Sequence, residues 1–406
     1  MTKGFVFCVA GFCMGSGVAF CGAYPALVGN GVADDTQAIQ ARLDGGGSCV
    51  YLPPPAKEYL ISRTLRIGSN QELRLDRFTR IRLAPKSDCP MLENRCYVAG
   101  TNVNVAVTGG VWDMDNLRQR PNSMQVKELR PQIPKVHSPG FFWGMAMRFC
   151  HVDGLTVRNV TIRNPTTYGI AFGHVSNFLV SDIVFDYKTW NPIPLNMDGV
   201  HCDGFCRHGR ISNLRGTCFD DLVALNANDA ACAPEEGPIM DIDIDGIHAD
   251  YCHSAVRMLS AGADLKRVTI RNVHGRFYCY AVGLTHYFPQ KPRGRIDDVV
   301  IEDVFASKAL VPPECGGQNF RGPMELIHIQ GPLDVGKLVV SRVAREENCL
   351  PTATLGIDSP SRVENLTIRD CRMVNRLSDP IDFILNRGHV DELVTENNTF
   401  VGDWRK

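Results

Sequence analysis

A six-position pattern, apolar, any, apolar, any, any, apolar, recurs along most of this chain. It reads Leu73, Leu75, Phe78, then Leu155, Val157, Val160, then Phe178, Val180, Ile183. It returns as Ile242, Ile244, Ile247, as Val268, Ile270, Val273, as Val299, Ile301, Val304, and as Leu338, Val340, Val343. A last copy holds Leu366, Ile368 and Cys371, and a reduced one keeps Ile211 and Leu214. The copies starting at 155 and 178 lie 23 residues apart, and later intervals are 26, 31 and 28, a spacing typical of solenoid repeats. Each copy alternates with a period of two, is rich in Val and Ile, and lacks helical spacing, so the repeated unit is a strand. Parallel strands in an ordinary sheet need crossover helices, and these intervals have no room for them. A stack of coils, each pairing with the coil above and below, removes that need and predicts an all-β parallel β-helix. An antiparallel sandwich would space its strands at roughly 8 to 12 residues instead.

The repeat runs from about residue 70 to the end without a Pro/Gly/Ser linker, so residues 24–406 read as a single solenoid domain. A net charge of −1 gives no reason to expect nucleic acid or an anionic membrane as partner, and a monomer is the simplest reading. Sixteen cysteines permit disulfides, but a solenoid of this length has ample core without them. Cys279 and Cys371 are expected in the core, and Cys202 and Cys206 are close enough to pair across a turn. No C-x-x-C pair has a second half at zinc spacing. Residues 1–23 carry Lys3, an apolar stretch and small residues before a possible cut after Ala19 or Ala23, which resembles a secretory signal. The alternative is that they form the first strands. Export makes the expected location secreted or periplasmic, and nothing else approaches the roughly 18 apolar residues of a membrane span.

The segment GNGVADDTQAIQARLDGGG places Asp34 and Asp35 before a short helix, where carboxylates can accept from unpaired N–H groups, and glycines end it. Such a helix would cap the open end of the solenoid. Two loop insertions interrupt the repeats. Residues 115–140 contain prolines with Arg118, Arg120, Lys127, Arg130 and Lys135, and residues 307–323 contain Pro312, Pro313 and glycines. Both read as rims of a cleft.

A second column of strands runs beside the first: GVHC at 199–202, DLVAL at 221–225, AVRML at 255–259 and AVGLTH at 281–286. Aligning Val200, Val223, Val256 and Val282 gives steps of 23, 33 and 26, which match the coil period. Asp198 and Asp221 then stack on neighbouring rungs about 4.8 Å apart, with Asp220 beside them. The same register sets His253 in line with Asp220 and Arg257 in a column with His201. Like charges this close raise at least one carboxyl pKa, and one protonated acid beside ionised partners suits acid/base glycoside cleavage. Double aspartates alone are weak signals, since Asp34–Asp35 and Asp297–Asp298 are explained by turns.

GNGVADDTQAIQ, VYLPP and LRIGSNQELRLD resemble the opening of polygalacturonase-type right-handed β-helix proteins. TGGVWDMD, TIRNPTTYGIAF, NMDGVHCDG and FDDLVALN resemble successive blocks of glycoside hydrolase family 28, over residues 29–288. The resemblance implies a right-handed, pectin-lyase-like solenoid and an inverting hydrolase of α-glycosidic bonds. It also implies that Asp198, Asp220 and Asp221 are catalytic, with Asp220 protonating the leaving oxygen and the other two activating water. Inverting enzymes set their carboxyls about 6.5 to 9.5 Å apart, within reach of diagonal neighbours on adjacent rungs. The family's Gly-His-Gly block is absent, and its Arg-Ile-Lys block stands as Arg257, Met258, Leu259, without the Lys that helps hold an acidic sugar. His253 could replace the lost histidine, and His201, His286 and Tyr287 are candidate substrate contacts with His253 and Arg257. This reading expects a carbohydrate substrate and no metal or cofactor.

Two other functions use the same residues. A β-helix lyase would bind calcium through Asp198, Asp220 and Asp221 and remove a proton with Arg257. A tailspike-like β-helix would bind a glycan without cutting it.

Overall fold

The computed structural model describes residues 24–121, 142–232, 235–315 and 324–405. Among the described residues 26 strands form one parallel sheet wound as a right-handed β-helix, its coils pairing with their neighbours, and Ile381–Asp382 and Trp404–Arg405 form a separate parallel pair. The repeat column is in register through Val107, Val157, Val180, Ile211, Ile244, Ile270, Ile301, Val340 and Ile368. All are buried in one core that runs the length of the stack.

The six-position pattern has a local cause. The residue before the last apolar position bends the chain at a corner and takes the left-handed conformation: Asn159, Asp182, Asn213, Gly246, Asn272, Asp303, Arg342 and Asp370. Asn, Asp and Gly tolerate that conformation best, which explains their recurrence at this place. Phe78 departs from the expectation. Arg77 does not take the corner conformation, and Phe78 is 83% exposed rather than buried. The solenoid also begins earlier than residue 70. Asn30–Asp34, Cys49–Leu52, Glu58–Ile61 and Leu65–Ile67 already pair in register with later coils, but Pro53, Pro54 and Pro55 interrupt the periodicity there.

The helix spans Thr36–Asp44 and lays Ile39 and Leu43 on the first coils. Asp34 accepts from the Thr36 amide at 2.9 Å, as the sequence suggested. Asp35 instead turns back to accept from the Val28 and Gly29 amides. Cys371 lies in the core. Cys202 and Cys206 are both buried as free thiols, so the pairing considered for them is not formed. Of the first insertion, Asn116–Arg118 forms a 3-10 turn anchored by Asn116 Nδ2 donating to the Pro165 and Thr189 carbonyls. Lys127, Arg130 and Lys135 lie outside the described residues, as do residues 1–23 and 316–323. The second insertion leaves the solenoid only after Lys308, the end of the strand Gly294–Lys308. Among the described residues no helix is long and apolar enough to cross a membrane.

Candidate active site

Val200, Val223, Val256 and Val282 face one another on successive coils, as the step counts require. Their strands form the floor of a cleft of about 180 Å³, lined by Asn196, Asp220, His253, Arg257, Cys279, Tyr280, Tyr287 and Met324. Gly199 sets the spacing at its base. It donates its amide to the Asp221 carbonyl at 3.0 Å, and a Cβ there would lie 2.5 Å from the Leu222 carbonyl oxygen. Only glycine lets the Asp198 rung approach the next so closely.

The three aspartates occupy different environments. Asp198 is buried, with Oδ2 2.7 Å from His201 Nδ1, while its Oδ1 has no hydrogen-bond partner among the described residues. Burial raises its pKa, and Asp221 adds to this against the pull of His201. Asp221 is fully buried, with Oδ2 2.7 Å from Arg257 Nε in an ion pair that is off hydrogen-bond alignment. Its Oδ1 accepts from Tyr280 Oη at 3.4 Å. Asp220 lines the cleft, and its nearest basic group is His253, whose Nδ1 is 3.6 Å from its Oδ1. Burial, then the Asp198 and Asp221 charges, push its carboxyl well above the usual range, and Arg257 only partly opposes them.

Around these carboxylates the structure brings together some candidates and separates others. His253 lines the cleft, with Nδ1 2.6 Å from Ser254 Oγ, and meets Tyr278 edge-on. Burial alone would lower its pKa, but Cys279 and Asp221 raise it. Arg257 stacks over Tyr287, and Tyr287 Oη is 3.4 Å from Tyr280 Oη. His201 is fully buried, and its ring nitrogens face carboxylates. Its Nε2 is 3.2 Å from Asp203 Oδ1, and Tyr168 stacks on its ring at 3.9 Å. His286 is set apart from the cleft lining, its Nε2 2.8 Å from the Pro292 carbonyl.

Sequence reasoning missed Asp203, Asp229, Tyr168, Tyr280, Cys279 and Met324. Asp203 was readable, because period-two alternation puts it on the same face as His201. Asp229 Oδ2 lies 3.9 Å from His201 Nε2 and 4.0 Å from Arg257. Cys279 is buried as expected, but against the cleft rather than in the core. Single ligand atoms of Asp220, Asp221 and His253 fall within 4.8 Å of one another, which is compatible with a cation. Two carboxylates and an imidazole, with a guanidinium already on one carboxylate, do not make the six to eight oxygens that calcium takes.

The architecture and this acidic cleft define a pectin-lyase-like right-handed parallel β-helix. No protein-family model matches the chain, and no curated protein matches it. Solved structures share its fold at low identity. The surface adhesin PfbA of Streptococcus pneumoniae is 15% identical, with a TM-score of 0.57 over 93% of this chain and 88% of that one. A family 28 exopolygalacturonase of Yersinia enterocolitica is 16% identical, with a TM-score of 0.56 over 94% and 77%. The tailspike of E. coli bacteriophage HK620 is 15% identical, with a TM-score of 0.64, and there 92% of this chain covers 64% of the tailspike chain. At such identities the likeness concerns the fold.

Proposed function

We propose that this protein hydrolyses glycosidic bonds of a poly- or oligosaccharide by inverting acid/base catalysis. The observation that carries this is the division of labour among the aspartates. Burial and two neighbouring carboxylates push the Asp220 carboxyl up, which favours the protonated form that a donor to the leaving oxygen needs. Asp198 keeps a free acceptor atom, Oδ1, and Asp221 stands on the adjoining rung. Together they would orient and deprotonate the attacking water. His201 and Arg257 offset their charge, while Tyr287 offers a ring edge to the sugar. Likeness in fold to an exopolygalacturonase agrees with this chemistry, as does the NMDG and FDD spacing. Arg257 is engaged by Asp221, and Leu259 stands where the family's Arg-Ile-Lys block has its Lys, which favours a neutral or modified sugar.

The test incubates wild type and Asp220→Asn with polygalacturonate, arabinogalactan, galactomannan and xyloglucan, following reducing ends and ultraviolet absorbance. Loss of the general acid lowers turnover by about 10² to 10⁴. Because Asp220 must be protonated, activity falls as pH rises through its raised pKa. The second reading, a metal-dependent lyase, would have to use the grouping of Asp220, Asp221 and His253, whose three donors fall short of calcium's shell. Absorbance from a new double bond, abolished by chelator, would select the lyase. Reducing ends without absorbance, indifferent to chelator, would select the hydrolase.

A further inference from the structure

Around the corner from the cleft, three rings stack along the outside of the solenoid. His248 and His274 lie 4.7 Å apart and His274 and Phe305 4.7 Å apart, each pair tilted by 12°. In-register pairing produces the ladder: His248 faces His274, which faces Phe305, which faces Ala344. Identical positions on successive coils fall one strand spacing apart, about 4.8 Å, which is also a good separation for stacked rings. At Ala344 the ladder stops. An alanine there has no ring to cover the outer face of Phe305, which remains 47% exposed. A shallow groove of about 570 Å³ runs beside the whole ladder, from His248 and Asp250 past Phe305 to Ala344 and Glu346, and the step lies at its last coil.

The edges of this step are polar and balanced in charge. Two residues along each strand from the ring column stand Asp250, Arg276, Ser307 and Glu346. Arg276 pairs with Asp250 at 2.6 Å and Glu346 with Arg376 at 3.0 Å, both near solvent. Burial and the adjacent His248 hold His274 below its ordinary pKa. An apolar peptide laid here would leave these ion pairs desolvated. A pyranose has what the step lacks: a C–H face the size of a ring, with hydroxyls around its rim.

We propose that the step at Ala344 is a glycan-binding slot, separate from the cleft. One neutral pyranose stacks on Phe305 as the missing rung of the ladder, and its hydroxyls bond to Ser307 and Glu346. The slot rests on the reading that this protein handles a glycan, but not on its cutting one. A polymer held there would be tethered beside the cleft, so the slot would lower KM for long substrates and leave short ones unaffected.

Two variants of the full chain test this from opposite sides. Phe305→Ala removes the platform, and Ala344→Phe fills the slot with the protein's own ring while completing the ladder. Affinity electrophoresis of the Asp220→Asn protein through gels holding each of the four polysaccharides reads binding without cleavage. Retardation by at least one polymer is expected, and either slot variant should weaken it about tenfold, with melting temperatures confirming that both are folded. Retardation unchanged by both variants, or no retardation by any of the four, overturns the proposal. So does a concentration-dependent dimer dispersed by Phe305→Ala, which would make the step a contact between copies. If slot variants lose retardation although the wild type cuts none of the four, the slot stands and the hydrolase reading falls.

Discussion

His201 holds the acid cluster together. Its fully buried ring is pinned between Asp198 and Asp203 with Tyr168 on its face. Burial by itself would lower its pKa, but the two carboxylates outweigh that and raise it to about 10 from 6.5. A cation raised in this way stabilises the fold fully below 6.5, and that stability is lost as pH climbs towards about 10. His201→Gln keeps a hydrogen-bonding amide but cannot titrate. Its melting temperature is expected to start lower at pH 6.5, since breaking a buried pair costs about 3 to 5 kcal/mol. The gap to wild type should then shrink steadily up to pH 10. A gap constant across that range would show that His201 is not charged. At this scale the sequence disclosed which aspartates meet, because coil steps alone decide which residues share a column. It did not disclose what His201 touches. Asp229 belongs to an irregular turn with no place in the column of valines, whereas Tyr168 stands two residues before Ile170, the partner of Val200, and would have shown itself had the column been extended one coil back.

The corner residues link the sequence pattern to the geometry of each coil. Asn159 has φ 56° and an exposed side chain, and its amide donates to the Ser181 carbonyl one coil on. Conformation alone should therefore govern what the position tolerates. Asn159→Gly is expected to leave stability within a few tenths of a kcal/mol. Asn159→Val should cost about 1 to 2 kcal/mol, because a β-branched side chain crowds the carbonyl in the left-handed region. Denaturant midpoints of the two variants check this, and equal midpoints would mean that the corner is not conformationally selective. Elements were legible wherever an Asn, Asp or Gly marked such a corner. They were not legible before residue 70, where strands of only three to five residues are broken by Pro53, Pro54 and Pro55. Short strands of that kind carry too few alternations to show a period. Segments 115–140 and 307–323 have no period at all, so nothing in them predicts a shape.

The whole molecule is a one-dimensional stack in which each coil rests mainly on its two neighbours, so damage should stay local. The helix Thr36–Asp44 closes one end by placing Ile39, fully buried, over the first coils. Ile39→Asp would put an unpaired carboxylate into that apolar contact, and the helix would lift to solvate it. The exposed coil end then frays. Hydrogen exchange should show protection lost over Cys49–Leu52 and Leu65–Ile67, the strands the helix packs on. Protection should persist over Asp221–Asn226 and Ile239–Leu259, which carry the cleft several coils away. Any activity attributed to Asp220 should persist with them. Loss of protection along the entire stack, or of activity in parallel with the N-terminal strands, would instead mean that the solenoid folds as one cooperative unit. In that case the cleft geometry would depend on its cap, and the register that aligns Asp198 with Asp221 would be a property of the complete column rather than of adjoining coils.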